Sequence, residues 1–211
     1  MEPYKFLDEL VERYPELAAV KGAIGEAYEV LEHCYATGGK LLVAGNGGSC
    51  ADAEHIVGEL MKGFIKRREV PDEFRERLED IDQTEGGELA KKLQGALPAI
   101  ALNGHPGLST AFLNDVDGDL IYAQQTYGFG EAGDVLLGIS TSGNAKNIMY
   151  AVTVARAKGM KVIGLTGKDG GRLGMAADVP IIVPENETFK IQEYHLPIYH
   201  TLCLMLEERF F

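Results

Sequence analysis

LLVAGNGGS (Leu41–Ser49) and VLLGISTSGN (Val135–Asn144) share one pattern: an apolar strand runs into a loop of glycine and hydroxyl residues, and each loop opens into a helical stretch. A strand, a glycine-rich turn and a helix N-terminus together make an anion cradle. The first N–H groups of a helix have no internal partner, and the helix dipole favours negative charge there. In the second loop Ser140, Thr141 and Ser142 add hydroxyl donors, Gly143 permits close backbone approach, and Asn144 or Ala145 begins the helix. The two loops predict a ligand with a phosphate at one end and other polar groups at the other. Such clusters also serve as ordinary turn and cap material, so the rest of the chain has to carry part of the argument. Neither loop has the lysine of GxxxxGK[ST] or the spacing of GxGxxG, and no nucleotide cofactor is expected.

Outward from these loops, apolar runs at Lys40–Ala44, Ala99–Leu102, Val135–Ile139, Lys161–Leu165 and Val179–Val183 read as strands. Helical patterns lie between them. The first covers Tyr4–Tyr35 with a break at Pro15, and the next is capped by Ser49 and continues through Ala53, Ile56, Leu60 and Phe64. Others contain Leu108, Ala111 and Phe112, or span Asp119–Tyr127 and Ala145–Lys158; a last one covers Thr188–Phe210 with a kink expected at Pro197. Strands alternating with helices imply an α/β fold whose parallel sheet is covered on both faces, with ligands at the carboxyl ends of the strands. The charged run RREVPDEFRERLEDIDQTEGGELAKKLQ (Arg67–Gln94) reads as two exposed helices separated by Gly86 and Gly87, a solvated excursion. A length of 211 residues suits one domain over 1–211, with N-terminal helices over about 1–36 and a charged helical insertion over about 67–95.

The balance of 20 Lys and Arg against 32 Asp and Glu gives a net charge of −12, which opposes binding to nucleic acid or an anionic membrane. Three cysteines without a CxxC pair suggest neither a disulfide framework nor a cysteine zinc site. The acidic start MEPYKFLDELVERYPEL lacks signal-peptide character, and no apolar run is long enough to span a bilayer, so a cytoplasmic protein is expected.

His55 and Glu59 lie four apart on one helix face, where they would bind a metal, move protons or simply hydrogen-bond to each other. The last helix offers Gln192, Glu193, His195 and His200 before the apolar TLCLML, where a histidine is equally able to sit satisfied in the core. Lys40, Lys146 and Lys190 read as surface or helix-end charges.

GNGGSCADAEHIVGEL, GDVLLGISTSGNAKNI, KGMKVIGLTGKDGG and KIQEYHLPIYHTLCLMLEE occur in that order. Together they resemble the sugar isomerase (SIS) domain family, most closely its phosphoheptose isomerase branch. The resemblance implies a three-layer α/β/α sandwich on a five-stranded parallel flavodoxin-like sheet. It also implies a homotetramer with sites near subunit interfaces. The activity implied is aldose–ketose isomerisation of a sugar phosphate by enediol proton transfer, sedoheptulose 7-phosphate giving D-glycero-D-manno-heptose 7-phosphate. By matched position, Glu59 and His200 are the base and acid, and zinc would be held by His55, Glu59, Gln192 and His200. Phosphate binding maps to Ser49, Ser140, Thr141 and Ser142, and Asn46, Gly47, Asn144 and Gln192 are expected as further substrate contacts. The same domain also serves as a non-catalytic phosphosugar sensor or adaptor, the alternative reading. His105 stands where the branch commonly has an aspartate for substrate hydroxyls, Ala145 where many relatives have a serine, and Gly63 where an arginine is frequent. These departures, with the insertion, point to a phosphosugar of related but different hydroxyl arrangement or length.

Overall fold

The computed structural model describes residues 3–211. Five parallel strands, β1 (Leu41–Gly45), β2 (Ala99–Ala101), β3 (Val135–Ile139), β4 (Lys161–Thr166) and β5 (Val179–Ile182), form one sheet in the order β2-β1-β3-β4-β5. That is the flavodoxin-like order. Register is continuous across the centre, with Leu41 beside Val135 and Val135 beside Lys161.

Side chains alternate across the strands and split the core into two layers. Leu41, Val43, Leu137 and Ile139 face one way, against α1 (Tyr4–Arg13), α2 (Lys21–Ala36), α3 (Gly48–Met61) and α10 (Thr188–Phe210). Leu42, Ala44, Leu136 and Val162 face the other way, against α7 (Ile121–Phe129), α8 (Lys146–Ala157) and α9 (Gly171–Ala176). The remaining helix of the frame, α6 (Pro106–Asp115), follows β2.

The N-terminal helical pattern breaks where expected: a 3-10 turn over Pro15–Val20 joins α1 to α2. Its apolar stripe is spent inside the chain, on Leu7, Leu10, Leu17, Ile24 and Leu31. Phe210 packs edge-on against Tyr35 at 6.1 Å. The helix after the first loop starts two residues earlier than expected. Gly47, at φ 57°, takes the cap position, so Ser49 lies buried in the first turn and caps nothing; the helix ends at Met61, short of Phe64. Helix α10 is assigned without interruption through Pro197.

The charged insertion forms α4 (Asp72–Ile81) and α5 (Gln83–Lys92), but the break lies at Asp82, not at Gly86 and Gly87. Asp82 accepts from the N–H groups of Thr84 and Glu85, an N-cap. Gly86 sits inside α5 because a β-carbon there would lie 2.1 Å from the Leu78 carbonyl oxygen, so the two helices close to backbone contact only over glycine. Nor is the segment solvated throughout. Arg68, at 1% exposure, is the largest fully buried side chain of the described residues.

Candidate active site

The loops after β1 and β3 flank the point where strand order reverses, the place at which open parallel sheets bind ligands. They are tied together by a two-way carboxamide pair. Asn46 Nδ2 donates to Asn147 Oδ1 and Asn147 Nδ2 donates to Asn46 Oδ1, both at 2.9 Å. Between the loops lies a hollow of about 400 Å³ lined by Asn46, Gly47, Gly48, Ser49, Ser140, Thr141, Ser142 and Ala145, with Thr188 and Gln192 from the start of α10. Ser49 and Ser140 are buried, at 3% and 7% exposure, at the floor of this hollow.

The second loop is a tight turn in which Gly143 N–H donates to Ser140 O at 2.9 Å. Gly143 has a φ of 65°, and a β-carbon there would meet the Gly170 carbonyl oxygen at 1.9 Å; no other residue fits. Asn144 does not line the hollow. Its Nδ2 donates to Ser142 O at 2.8 Å and its Oδ1 accepts from Arg172 N–H at 3.2 Å, so its carboxamide clamps the loop onto α9. Asn147, which lies outside the glycine–hydroxyl pattern, carries the clamp to Asn46.

Helices α3 and α10 pack against each other and both begin at the hollow, with Ser49 on one and Gln192 on the other. Further along the same pair, two to three turns away, the proton-active residues meet. His55 Nε2 is 3.3 Å from Glu59 Oε1 and 3.5 Å from His200 Nε2. The rings of His55 and His200 are edge-on at 4.9 Å. Lys62 Nζ lies 3.0 Å from Glu59 Oε2, so the carboxylate has a cation on one oxygen and an imidazole on the other. Burial, then the neighbouring charge of His55, lowers the pKa of His200 below that of an ordinary imidazole, with Glu59 opposing.

Three of the four expected metal positions therefore converge, and the fourth does not. Gln192 Nε2 lies against Gly48, where a β-carbon would sit 2.4 Å from it, about 12 Å along α10 from His200 by helical rise. Among the described residues no group of three or more His, Cys, Asp or Glu side chains is arranged to hold a metal ion. Glu59 and His200 do not line the serine hollow; His200 borders a second cavity of about 300 Å³ between α1 and α10.

His195 belongs to the core. It is fully buried, its Nε2 lies 3.3 Å from Thr166 O, and burial lowers its pKa to about 4. Lys40, Lys146 and Lys190 are each paired, with Asp134, Asp119 and Glu187. His105 sits after β2 with its ring 5.3 Å from that of Phe129. Gly63 leaves no room for an arginine, since a β-carbon would lie 2.3 Å from Lys66 O. Lys62, one position earlier, is the residue that places a cation on Glu59.

An ion pair that sequence reasoning missed is buried behind this cluster. Arg68 donates to the carbonyls of Leu60 (2.7 Å) and Glu59 (3.0 Å), closing the C-terminus of α3, and through Nε to Glu207 Oε1 at 2.8 Å. Glu207 also accepts the N–H groups of Phe64, Ile65 and Lys66 at 2.8, 2.9 and 3.1 Å. One ion pair thus fixes the end of the helix that carries Glu59.

The SIS domain profile matches residues 79–167. A phosphoheptose isomerase of Citrifermentans bemidjiense is 40% identical over 190 residues, 90% of this chain and 85% of that protein. One from Nitratiruptor is 40% identical over 171 residues, 81% and 78% of the two chains. Among solved structures, the phosphoheptose isomerase of Francisella tularensis aligns with a TM-score of 0.76 at 32% identity, covering 97% of this chain and 95% of that one. The Neisseria gonorrhoeae enzyme aligns with a TM-score of 0.73 at 32% identity, covering 98% and 94%. With a flavodoxin-like sheet, paired serine loops and likeness along nearly its whole length, the chain belongs to the phosphoheptose isomerase family of SIS domain proteins.

Proposed function

We propose that the protein is an aldose–ketose isomerase acting on a sugar phosphate, converting sedoheptulose 7-phosphate into D-glycero-D-manno-heptose 7-phosphate. The observation that carries this is the separation of two chemistries along one helix pair. Hydroxyls and helix N-termini gather at the start of α3 and α10, and Glu59 with His200 gather two to three turns further on.

In this reading Ser49, Ser140, Thr141 and Ser142 hold the phosphoryl group with the N-terminal dipole of α3. Glu59, with the Lys62 ammonium 3.0 Å from one of its oxygens, takes the proton from C2 of the aldose or C1 of the ketose and returns it to the neighbouring carbon. His200, whose burial lowers its pKa below the ordinary imidazole value and so favours the neutral ring, serves the two oxygens as the enediol forms and collapses. His55, Glu59 and His200 are donor types zinc accepts, and they are the residues that would hold the ion if it binds here. A bound zinc would polarise the carbonyl; Gln192 would complete the set only by leaving Gly48.

A homotetramer in the cytoplasm, with no nucleic-acid or membrane partner, completes the proposal. The net charge of −12 supports the last point, and no helix among the described residues is long and apolar enough to cross a membrane. A non-catalytic adaptor has no use for a proton shuttle, and the relatives named above are called isomerases. The test is turnover of ketose phosphates of five to seven carbons by the purified protein, with Glu59→Gln lowering kcat about 10²–10⁴-fold while its melting temperature holds. Binding of sugar phosphates without turnover by the wild type would overturn the proposal.

A further inference from the structure

The two nitrogens of His55 have different neighbours. Nε2 faces Glu59 and His200, while Nδ1 points away to the Tyr199 hydroxyl at 3.0 Å. That hydroxyl donates to Asp52 Oδ1 at 3.2 Å. Asp52 and His55 are one turn apart on α3 and straddle the phenol that α10 brings between them. Tyr199 is buried at 2% exposure, and its ring is edge-on to those of both His55 (5.5 Å) and His200 (5.0 Å). Neither Asp52 nor Tyr199 lines the serine hollow.

A phenol has one hydrogen, and a carboxylate only accepts. The hydrogen of Tyr199 therefore goes to Asp52, and the phenol oxygen is left to accept from His55. This requires a hydrogen on Nδ1. The opposite tautomer would set the lone pair of Nδ1 against the lone pairs of the phenol oxygen with no hydrogen between them. With Nδ1 protonated, the neutral ring presents the lone pair of Nε2 to the Nε2–H of His200 at 3.5 Å; Glu59 Oε1, 3.3 Å away, only accepts, so a hydrogen from His200 or a cation has to meet that lone pair.

The geometry points to Asp52 and Tyr199 as a positioning relay that fixes the tautomer of His55, so that a lone pair enters the catalytic cluster. There it accepts the N–H of His200 or ligates a divalent cation. Neither residue touches substrate; they act through His55, as an outer shell orients a ligating imidazole. The inference rests on the reaction being centred on His55, Glu59 and His200, and it assigns a use to the phenol oxygen that packing alone does not demand, since phenylalanine would fill the same space.

The direct test is the ring-nitrogen spectrum of metal-free protein labelled with 15N-histidine, the His55 signals being assigned by their loss in His55→Gln. Wild type is expected to carry the hydrogen on Nδ1. In Asp52→Asn the carboxamide is able to donate to the phenol, freeing its hydrogen for Nδ1, and the ring should move toward the Nε2–H form. Tyr199→Phe should give a mixture of tautomers, a zinc affinity lower by about 10–100-fold in chelator competition, and a reduced kcat with KM within about twofold of wild type. An Nε2–H tautomer in the wild type overturns the relay, as does a Tyr199→Phe protein with unchanged tautomer and zinc affinity. A protein that isomerises no sugar phosphate yet shows the Nδ1–H form supports the relay and refutes the function; an active enzyme with the reverse tautomer does the opposite.

Discussion

Replacing Glu207 with glutamine should destabilise the protein far more than loss of a surface charge. The carboxylate receives four donors. Phe64 N–H and Arg68 Nε reach Oε1, and Ile65 and Lys66 N–H reach Oε2. A carboxamide offers one acceptor oxygen, so whichever way it is turned its NH2 group faces two N–H donors. Each unmet buried group costs about 1–3 kcal/mol, and Arg68, with its side chain wholly buried, loses its counter-charge. Removing one partner of a buried pair costs about 3–5 kcal/mol. For a chain of this size each kcal/mol lowers Tm by about 2–4 °C, so a fall of roughly 6–20 °C is expected. Urea unfolding and thermal melts at pH 7 and fixed protein concentration measure it. A loss below about 1 kcal/mol, the level of an exposed pair, would refute the reasoning.

Acid provides a second arm. Burial alone would raise the Glu207 carboxyl, but the three backbone donors and Arg68 outweigh it and hold its pKa below the ordinary value. Its contribution is therefore complete above the unfolded carboxylate pKa of about 4.3 and drains away as pH falls below it, so the gap between wild type and Glu207→Gln should narrow on acidification. The double change Arg68→Met with Glu207→Leu should recover only part of the loss, since the N–H groups of Phe64, Ile65 and Lys66 remain without acceptors.

His195, with its pKa lowered to about 4 by burial, binds its proton only in the unfolded chain between about pH 6.5 and 4. Stability should fall through that window by up to about 3 kcal/mol and level off below it; His195→Gln should lose less between pH 7 and 5, and parallel curves for the two proteins would count against the assignment. His105→Asp should change preference among ketose phosphates about 10-fold while leaving competition by inorganic phosphate unaltered, because the residue lies after β2 and away from the serine hollow. Equal activity profiles before and after would refute this.

The sheet was legible because its strands are short apolar runs bounded by loops, and parallel pairing follows from alternation with helices. The serine loops were legible because two of them each join a strand to a helix; one such cluster alone is ordinary turn and cap material. What escaped had no periodic signal. Arg68 stands in a run of charges, and nothing in RREVPDEF separates it from Arg67, whose side chain remains exposed; burial depends on where α10 places Glu207. Gly86 and Gly87 looked like a break because close helix contact and chain reversal both call for glycine. The real break was written in Asp82-Gln83-Thr84-Glu85, a cap residue with glutamate three places on. His55, Glu59 and His200 were found by resemblance, whereas the phenol and carboxylate behind His55 needed coordinates, because they are joined only across two helices.

The carboxamide pair between Asn46 and Asn147 bears on how the protein ages. Asn46 precedes Gly47, the dipeptide in which the following backbone nitrogen most readily attacks the side-chain carbonyl, expels ammonia and leaves a cyclic imide that opens to aspartate. Held from both ends by Asn147, the Asn46 side chain is kept from swinging onto that nitrogen. The same two bonds that set the mouth of the hollow thereby guard it against acquiring an anion where the phosphoryl group has to sit, so stored protein keeps its affinity for as long as Asn147 keeps its grip.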